Sequence, residues 1–269
     1  MTRVGILGCG AIGQALAKAL CTQKYQHVQL SFLCDQNPSR AIELKTRLKC
    51  ADIKILALHE LITKSDFVVE AASINAAQKI VPLALKLNKK ILVLSVGALL
   101  EIGNLRTLLA TSKGTIYVPS GALSGIDGIL AARVGKITSV EITSRKPLRN
   151  LKSSPFFQKE GKRFGIIRKP TLIFDGNVRE AVRYFPESLN VAATLSLAGI
   201  GPKRTRVRVI TSPLYRMNQH EVRVASSSGE IYCQMLNLPS KTNPKTSQLA
   251  VQSAIATLSK IFSKIKIGT

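Results

Sequence analysis

The sequence predicts an α/β protein with two domains. An N-terminal Rossmann-type domain with a doubly wound parallel sheet is followed by a second α+β domain. Up to residue 119, continuous apolar segments alternate with helical segments, which is typical of parallel βαβ units. A glycine-rich loop lies between the first predicted strand and the first predicted helix. From Ile137 onwards, segments of alternating apolar and polar residues indicate a sheet with one solvated face.

The composition is that of a folded protein. The chain has 269 residues, of which 45% are hydrophobic, enough to offset the entropy of ordering. No signal peptide is recognisable, and the longest nearly apolar run, 91–100, is half as long as a membrane span requires. The five cysteines have no C-x-x-C spacing, which favours reduced thiols without a metal site. We therefore expect a cytoplasmic protein with no membrane partner.

The net charge is high, at +24, and basic residues are densest at 145–169, with nine basic residues and one acidic residue. Three interpretations compete for this stretch: a solvated face, attraction of an anionic substrate and cofactor, or a nucleic-acid site. Its three phenylalanines form no stacking motif, and the basic residues show no helical repeat. We therefore expect no nucleic-acid partner.

The first domain is predicted over residues 1–118. Its strands are predicted at 4–7, 28–34, 67–70, 90–95 and 114–118, and its helices at 14–21, 38–48, 74–87 and 104–111. The strands are continuously apolar, as expected when helices cover both faces of a sheet. Pro38 near the start of a helix occupies a position that proline prefers.

The glycine-rich loop has the spacing G-x-G-x-x-G and indicates a dinucleotide site. The first glycine permits a tight turn, the second a close approach to the pyrophosphate, and the third close packing of helix on strand. The N–H groups at the start of the helix bind the anion. The residues of this predicted site are Gly8, Gly10, Ala11, Ile12 and Gly13.

An acidic residue at the end of the second strand complements the loop. Asp35 follows Gly13 by 22 residues, near the spacing expected for a carboxylate that binds the ribose hydroxyls. A carboxylate repels the 2′-phosphate of NADP and so favours NAD. NADP stays an alternative cofactor because Arg40 lies nearby in sequence. Two turns at the carboxyl ends of strands are expected to line the cofactor cleft. They contribute Ala72, Ser95 and Gly97.

The second domain is predicted over residues 119–269. Strand-like segments lie at 140–144, 205–211, 221–224 and 231–236, and helices at 125–133, 178–184 and 190–197. A final helix is predicted over 243–264. Whether it packs back on the first domain is left open by the sequence.

Of the three histidines, His220 is the candidate for catalysis. His27 lies in a polar loop and is expected at the surface, and His59 near a predicted helix start is expected to be structural. His220 lies in a polar patch between strand-like segments, where an imidazole can transfer protons.

Five stretches stand out beside the glycine loop, at 118–128, 174–181, 185–194, 218–221 and 243–247. Together with the loop they resemble the L-aspartate dehydrogenase family over nearly the whole chain. It implies oxidation of L-aspartate with NAD or NADP to iminoaspartate, which hydrolyses to oxaloacetate and ammonia or serves NAD biosynthesis. The reverse reductive amination is equally implied.

The resemblance also implies roles for individual residues. His220 matches the catalytic histidine, and Asn190, Ala122 and Ser124 match positions that contact the cofactor near the nicotinamide. Leu123 and Ser124 depart from the small or aliphatic residues usual there. The chemistry calls for an imidazole of near-neutral pKa that accepts a proton when water attacks the imine carbon.

A dicarboxylate substrate requires cationic or N–H donors. Lys245, Thr246 and Ser247 are candidates for this role. The alternative, which the sequence favours, is a helix N-terminus capped by Asn243. We expect a homodimer. Two alternatives stay open: a dehydrogenase of another small acid, and a non-catalytic protein that binds nucleotides or nucleic acid.

Overall fold

The computed structural model describes residues 1–22, 25, 27–48, 50, 52–186, 189–240, 243 and 246–268. The chain divides into two compact units. The first unit comprises Met1–Pro119 and Val251–Ile267, and the second is built from Ser120–Ala250.

The first unit contains a six-stranded parallel sheet. Its strands are β1 (Thr2–Leu7), β2 (Val28–Cys34), β3 (Lys54–Ile55), β4 (Phe67–Glu70), β5 (Lys90–Val93) and β6 (Thr115–Tyr117). Their order is β3-β2-β1-β4-β5-β6, and all the pairings are parallel. This is the doubly wound Rossmann arrangement, so the predicted fold class is confirmed. The chain reverses its direction of winding between β1 and β4, which is where such sheets bind ligands.

The helices of this unit connect successive strands. They are α1 (Ala11–Thr22), α2 (Pro38–Arg47), α3 (Leu58–Lys64), α4 (Ile74–Lys86) and α5 (Leu105–Thr111), and a 3₁₀ helix spans Val96–Leu100. Asn37 caps α2 by accepting from the amide of Ser39 at 3.1 Å, and Pro38 occupies the first turn. The edge strand β3 was not predicted from the sequence, since it has only two residues and both are exposed.

The second unit contains a mixed five-stranded sheet. Its strands are β7 (Ile137–Pro147), β8 (Thr171–Asn177), β9 (Arg206–Ser212), β10 (Asn218–Ser226) and β11 (Gly229–Asn237). Their order is β11-β10-β7-β9-β8. The pairing of β7 with β9 is parallel, and the other three pairings are antiparallel. The face that carries Ile142, Val207 and Val222 is buried, and the opposite face carries charged residues.

Short helices cover this unit. They are α6 (Ile126–Ala132), α7 (Leu148–Leu151), α8 (Pro155–Glu160), α9 (Val178–Tyr184) and α10 (Asn190–Ala198), with a 3₁₀ helix at Gly161–Phe164. Phe156 anchors the basic stretch because its buried ring packs against Phe174, Tyr184 and Phe185. Strand β8 was not predicted from the sequence. Its turn-forming residues and a register shift after Leu172 interrupt the alternation of apolar and polar residues.

The last helix, α11 (Gln248–Phe262), completes the core of the first unit. Ala254 and Leu258 are fully buried in the cluster that contains β1 and α1 side chains, and the Phe262 ring lies 5.3 Å from that of Phe67. The helix begins at Gln248 and not at Asn243 as predicted. The preceding segment instead pairs with the chain after β11, through a β-bridge between Pro239 and Ser247.

The cysteines correct one prediction. Cys21 at the end of α1 and Cys50 beyond α2 form a disulfide, with Cα atoms 5.9 Å apart. The expected reduced state is therefore wrong for these two. Their separation of 29 residues matches no short motif, so the spacing did not indicate a disulfide.

The predicted cytoplasmic location rested partly on reduced thiols and stays a prediction. Burial raises the pKa of the Cys9 thiol to about 12.

No helix within the described residues has both the length and the apolar character needed to cross a membrane. Nor do these residues contain a group of three or more His, Cys, Asp or Glu side chains placed to hold a metal ion.

Candidate functional site

The glycine loop has the geometry that a dinucleotide requires. Gly8 has φ of +98°, and a Cβ atom there would lie 2.4 Å from the carbonyl oxygen of Ala71. A Cβ atom on Gly13 would lie 1.8 Å from the carbonyl oxygen of Gly8. A Cβ atom on Gly10 would meet nothing within 4 Å, so space is open beside this residue. The two outer glycines are thus required by packing, and the central one leaves room for a pyrophosphate.

The loop leads directly into α1. Ala11 and Ile12 are its first two residues, and the amide of Gln14 is the first to bond back, to the carbonyl of Gly10 at 2.8 Å. The earlier amides of a helix have no partner within the helix. Ala11 and Ile12 therefore offer the predicted anion-binding N–H groups.

Asp35 lies against the same loop. One carboxylate oxygen accepts from the amide of Cys9 at 2.7 Å, and the other accepts from the amide of Asn37 at 2.8 Å. The structure therefore brings together Asp35 and the glycine loop, as the spacing predicted. These bonds fix the carboxylate at the end of β2, beside the open space at Gly10.

A buried carboxylate joins the other two predicted cofactor turns. Glu70 ends β4, is 0% exposed, and accepts from the amides of Ala72 and Ser95, each at 2.9 Å. It also accepts from the Ser95 hydroxyl at 2.9 Å and from the amide of Leu94 at 3.2 Å. Burial raises the pKa of Glu70, whereas these donors act to lower it. Gly97 lies in the buried 3₁₀ helix that follows Ser95.

Sequence reasoning missed Glu70. The available signal was an acidic residue at the end of the otherwise apolar strand Phe67–Glu70. An acid there requires several donors, and the two turns that follow β4 and β5 supply them.

In the second unit, His220 lies on the buried face of β10. It is 2% exposed and pairs across the sheet with Ser144 on β7 and Met235 on β11. Its Nδ1 atom lies 3.0 Å from Ser144 Oγ. This hydrogen bond orients the ring. His27 and His59 are exposed.

A lysine lies in the same cluster. Lys146 is on β7, two residues after Ser144 on the same face, and only 4% exposed. Burial lowers the pKa of Lys146 to about 8. Burial and the charge of Lys146 together lower the pKa of His220 to about 3. The expectation of a near-neutral imidazole pKa is therefore wrong, and His220 is uncharged at neutral pH.

Asn218 extends the cluster towards the segment before α11. Its Nδ2 donates to Ser247 Oγ at 3.4 Å, while its buried Oδ1 accepts no hydrogen bond from the described residues. The structure thus brings Ser247 near the strand of His220. The amide of Thr246 donates to the carbonyl of Asn243 at 2.9 Å, which forms a turn. Lys245 lies outside the described residues.

The turn that precedes α6 is anchored beside the same strands. The carbonyl of Ala122 accepts from Asn237 Nδ2 at 3.3 Å, and Ser124 Oγ lies 3.1 Å from the sulfur of Met235. Met235 is the direct cross-strand neighbour of His220. Asn190 begins α10, and a Cβ atom on Gly121 would lie 3.7 Å from the side chain of the next residue, Val191. The structure therefore brings the turn of Ala122 and Ser124 next to the strands that carry His220.

Lys146, Ser144 and Asn218 were also missed from the sequence. Lys146 belongs to the basic stretch, and the sequence does not distinguish it from a surface lysine. Only the register of β7 shows that it lies on the buried face. Asn218 and Ser144 face inward for the same reason, which depends on strand pairing and not on composition.

Two protein families match the chain. The C-terminal model of aspartate dehydrogenase matches residues 127–261. The NAD-binding domain of homoserine dehydrogenase matches residues 8–119.

Individual relatives match over full length. The L-aspartate dehydrogenase of Methanosarcina mazei is 43% identical over 272 residues and covers 100% of both chains. L-aspartate dehydrogenase 3 of Bordetella bronchiseptica is 38% identical, covering 99% of this chain and 97% of that protein. The crystal structure of aspartate dehydrogenase from Thermotoga maritima aligns over 100% of both chains at 25% identity, with a TM-score of 0.76.

Proposed function

Because the chain belongs to the L-aspartate dehydrogenase family, we infer that it oxidises L-aspartate with NAD or NADP. The product is iminoaspartate, which hydrolyses to oxaloacetate and ammonia, and the reverse direction is reductive amination. The observation that carries this function is the buried pair His220 and Ser144 beside Lys146. We propose that the enzyme serves NAD biosynthesis by supplying iminoaspartate.

The first unit supplies the cofactor site. Gly8, Gly10 and Gly13 shape the loop that receives the pyrophosphate, and Asp35 is positioned to accept from ribose hydroxyls. When bound there, NAD or NADP would supply the acceptor for a hydride from the amine-bearing carbon. We propose that Ala72, Ser95 and Gly97 of the first unit line its cofactor cleft. In the second unit, we propose that Ala122, Ser124 and Asn190 contact the nicotinamide.

His220 is the proposed acid–base group. If Nδ1 donates its proton to Ser144 Oγ, the lone pair of Nε2 is free to accept a proton. Nε2 then takes one proton from the water that attacks the iminium carbon and passes it to the amine nitrogen. The C–N bond breaks as the new hydroxyl releases its proton to solvent, which gives oxaloacetate and ammonia. Being uncharged at neutral pH, His220 is in the form that accepts.

The proposed substrate is a small dicarboxylate. The link between Asn218 and Ser247 supports a substrate-binding role for the segment that contains Thr246 and Ser247, and Lys245 belongs to the same proposal. A dehydrogenase of another small acid is the alternative reading of this site.

The direct test measures consumption of NADH and NADPH with oxaloacetate and ammonium. We expect turnover by the wild type and a loss of roughly 10²–10⁴-fold in His220→Ala, the usual contribution of a general acid–base group. His59→Ala, an exposed histidine on α3, serves as the control and should retain full activity. No turnover by the wild type with either cofactor would reject aspartate as the substrate and redirect the search to other acids.

We further propose a homodimer formed through the outward face of the second unit's sheet. Tyr232 and Leu236 are 57% and 62% exposed on that face, beside the ion pair of Arg145 and Glu221 at 3.0 Å. Mixed apolar and charged residues suit a two-fold interface, in which each patch meets its own copy. Leu236→Glu should convert the dimer to monomer in sedimentation, whereas Leu214→Glu should not. A monomeric wild type would contradict the proposal.

A further inference from the structure

Lys146 is not explained by the proton chemistry of His220. It lies on the buried face of β7, opposite Thr211 of β9, and is 4% exposed. No carboxylate of the described residues forms an ion pair with it, and burial alone accounts for the change in its pKa. An unpaired buried ammonium is costly in free energy, so the fold retains this lysine against its own stability.

The nearby carboxylates of the sheet lie on the face opposite Lys146. Glu221 pairs with Arg145 at 3.0 Å, and Glu141 lies 3.5 Å from Arg206, both on the outward face. Since side chains alternate between the two faces of a strand, Glu141 and Glu221 are directed away from Lys146. An anion that paired with Lys146 would therefore come from outside this sheet.

We propose that Lys146 binds a carboxylate of the substrate next to His220. This inference rests on the proposed function, which supplies a substrate with two carboxylates. The buried polar atoms around Lys146 fit such a ligand. Ser144 and Thr211 carry hydroxyls on the same face, and Asn218 presents a buried Oδ1 that accepts from none of the described residues. Oδ1 is placed to accept from the amine of the same substrate.

Binding of a carboxylate here also activates His220. The charge of Lys146 contributes to the low pKa of the imidazole. An ion pair between Lys146 and a substrate carboxylate compensates that charge and raises the pKa of His220. The raised pKa makes the imidazole a better proton acceptor only when substrate is present.

The test uses succinate, a dicarboxylate that cannot react, as a binding probe in thermal unfolding of the full chain. Succinate should raise the Tm of the wild type and of His220→Ala, and should leave the Tm of Lys146→Met unchanged. Without ligand, Lys146→Met should melt above the wild type because a buried unpaired charge has been removed. If Lys146 had a purely structural role, Lys146→Met would instead melt below the wild type.

Two controls make the result specific. Lys136→Met removes the same charge at the exposed residue next to the start of β7 and should keep the response to succinate. Lys146→Arg keeps the charge and should retain part of the response. In turnover with oxaloacetate, Lys146→Met should raise KM by at least about 30-fold, with a smaller effect on kcat.

The outcomes separate this inference from the proposed function. A succinate response that survives in Lys146→Met, or is missing from the wild type, overturns the role of Lys146. A response that depends on Lys146 in a protein without turnover of oxaloacetate supports a carboxylate site and rejects aspartate as the substrate.

Discussion

Ser144 Oγ and His220 Nδ1 lie 3.0 Å apart across neighbouring strands, and both residues are almost fully buried. In the proposed mechanism Nδ1 donates in this bond, which leaves the Nε2 lone pair for chemistry. Ser144→Ala should lower kcat by about 3–10-fold, the value of one ordinary hydrogen bond. Steady-state kinetics measures the loss, and Ser139→Ala on the exposed face of β7 is the control. An unchanged kcat would show that packing alone orients the ring.

Asp35 should control the choice between NAD and NADP. Its carboxylate is held by the amides of Cys9 and Asn37 at the end of β2. Asp35→Asn removes the charge that repels a 2′-phosphate but keeps one acceptor for these amides. We expect the ratio of kcat/KM for NAD over NADP to fall by about 10-fold or more, since hydrogen bonds to charged groups contribute about 1.5–3 kcal/mol. A constant ratio would assign the preference to another residue.

Glu70 should support both stability and cofactor affinity. Its carboxylate accepts four hydrogen bonds, two of them from Ser95. Glu70→Gln replaces one accepting oxygen by an NH₂ group that faces the N–H and O–H donors of the turns. This should lower the free energy of unfolding by about 1–3 kcal/mol. Urea unfolding measures this loss, and fluorescence titration should show weaker binding of NADH. Glu60→Gln on the exposed surface of α3 should change neither.

His220 should make the protein sensitive to acid. Its pKa is about 3 in the folded chain and near 6.5 when unfolded, so the unfolded state binds the extra proton between these values. Stability is therefore complete above pH 6.5 and falls as the pH decreases, by up to about 1.4 kcal/mol per pH unit from this residue. Urea unfolding at a series of pH values should show a shallower decline for His220→Gln. An identical decline in both proteins would mean that other groups dominate.

Features that depend on residues close in sequence could be predicted, whereas features that depend on contacts between distant residues could not. The glycine loop and Asp35 were predictable because close contacts around Gly8 and Gly13 impose a fixed spacing along the chain. His220 was found through a family resemblance. Lys146 was not, because its burial depends on the pairing of β7 with β9 and β10, which joins residues far apart in sequence. The disulfide between Cys21 and Cys50 is equally non-local.

The return of α11 to the first unit has a consequence for protein synthesis. A ribosome makes the glycine loop first, yet Ala254 and Leu258, which fill the core around it, emerge last. The nucleotide-binding half therefore cannot finish folding until translation is almost complete, and the intervening 120–250 segment has the earlier opportunity to fold. Premature termination near residue 250 would consequently impair the domain that is encoded first.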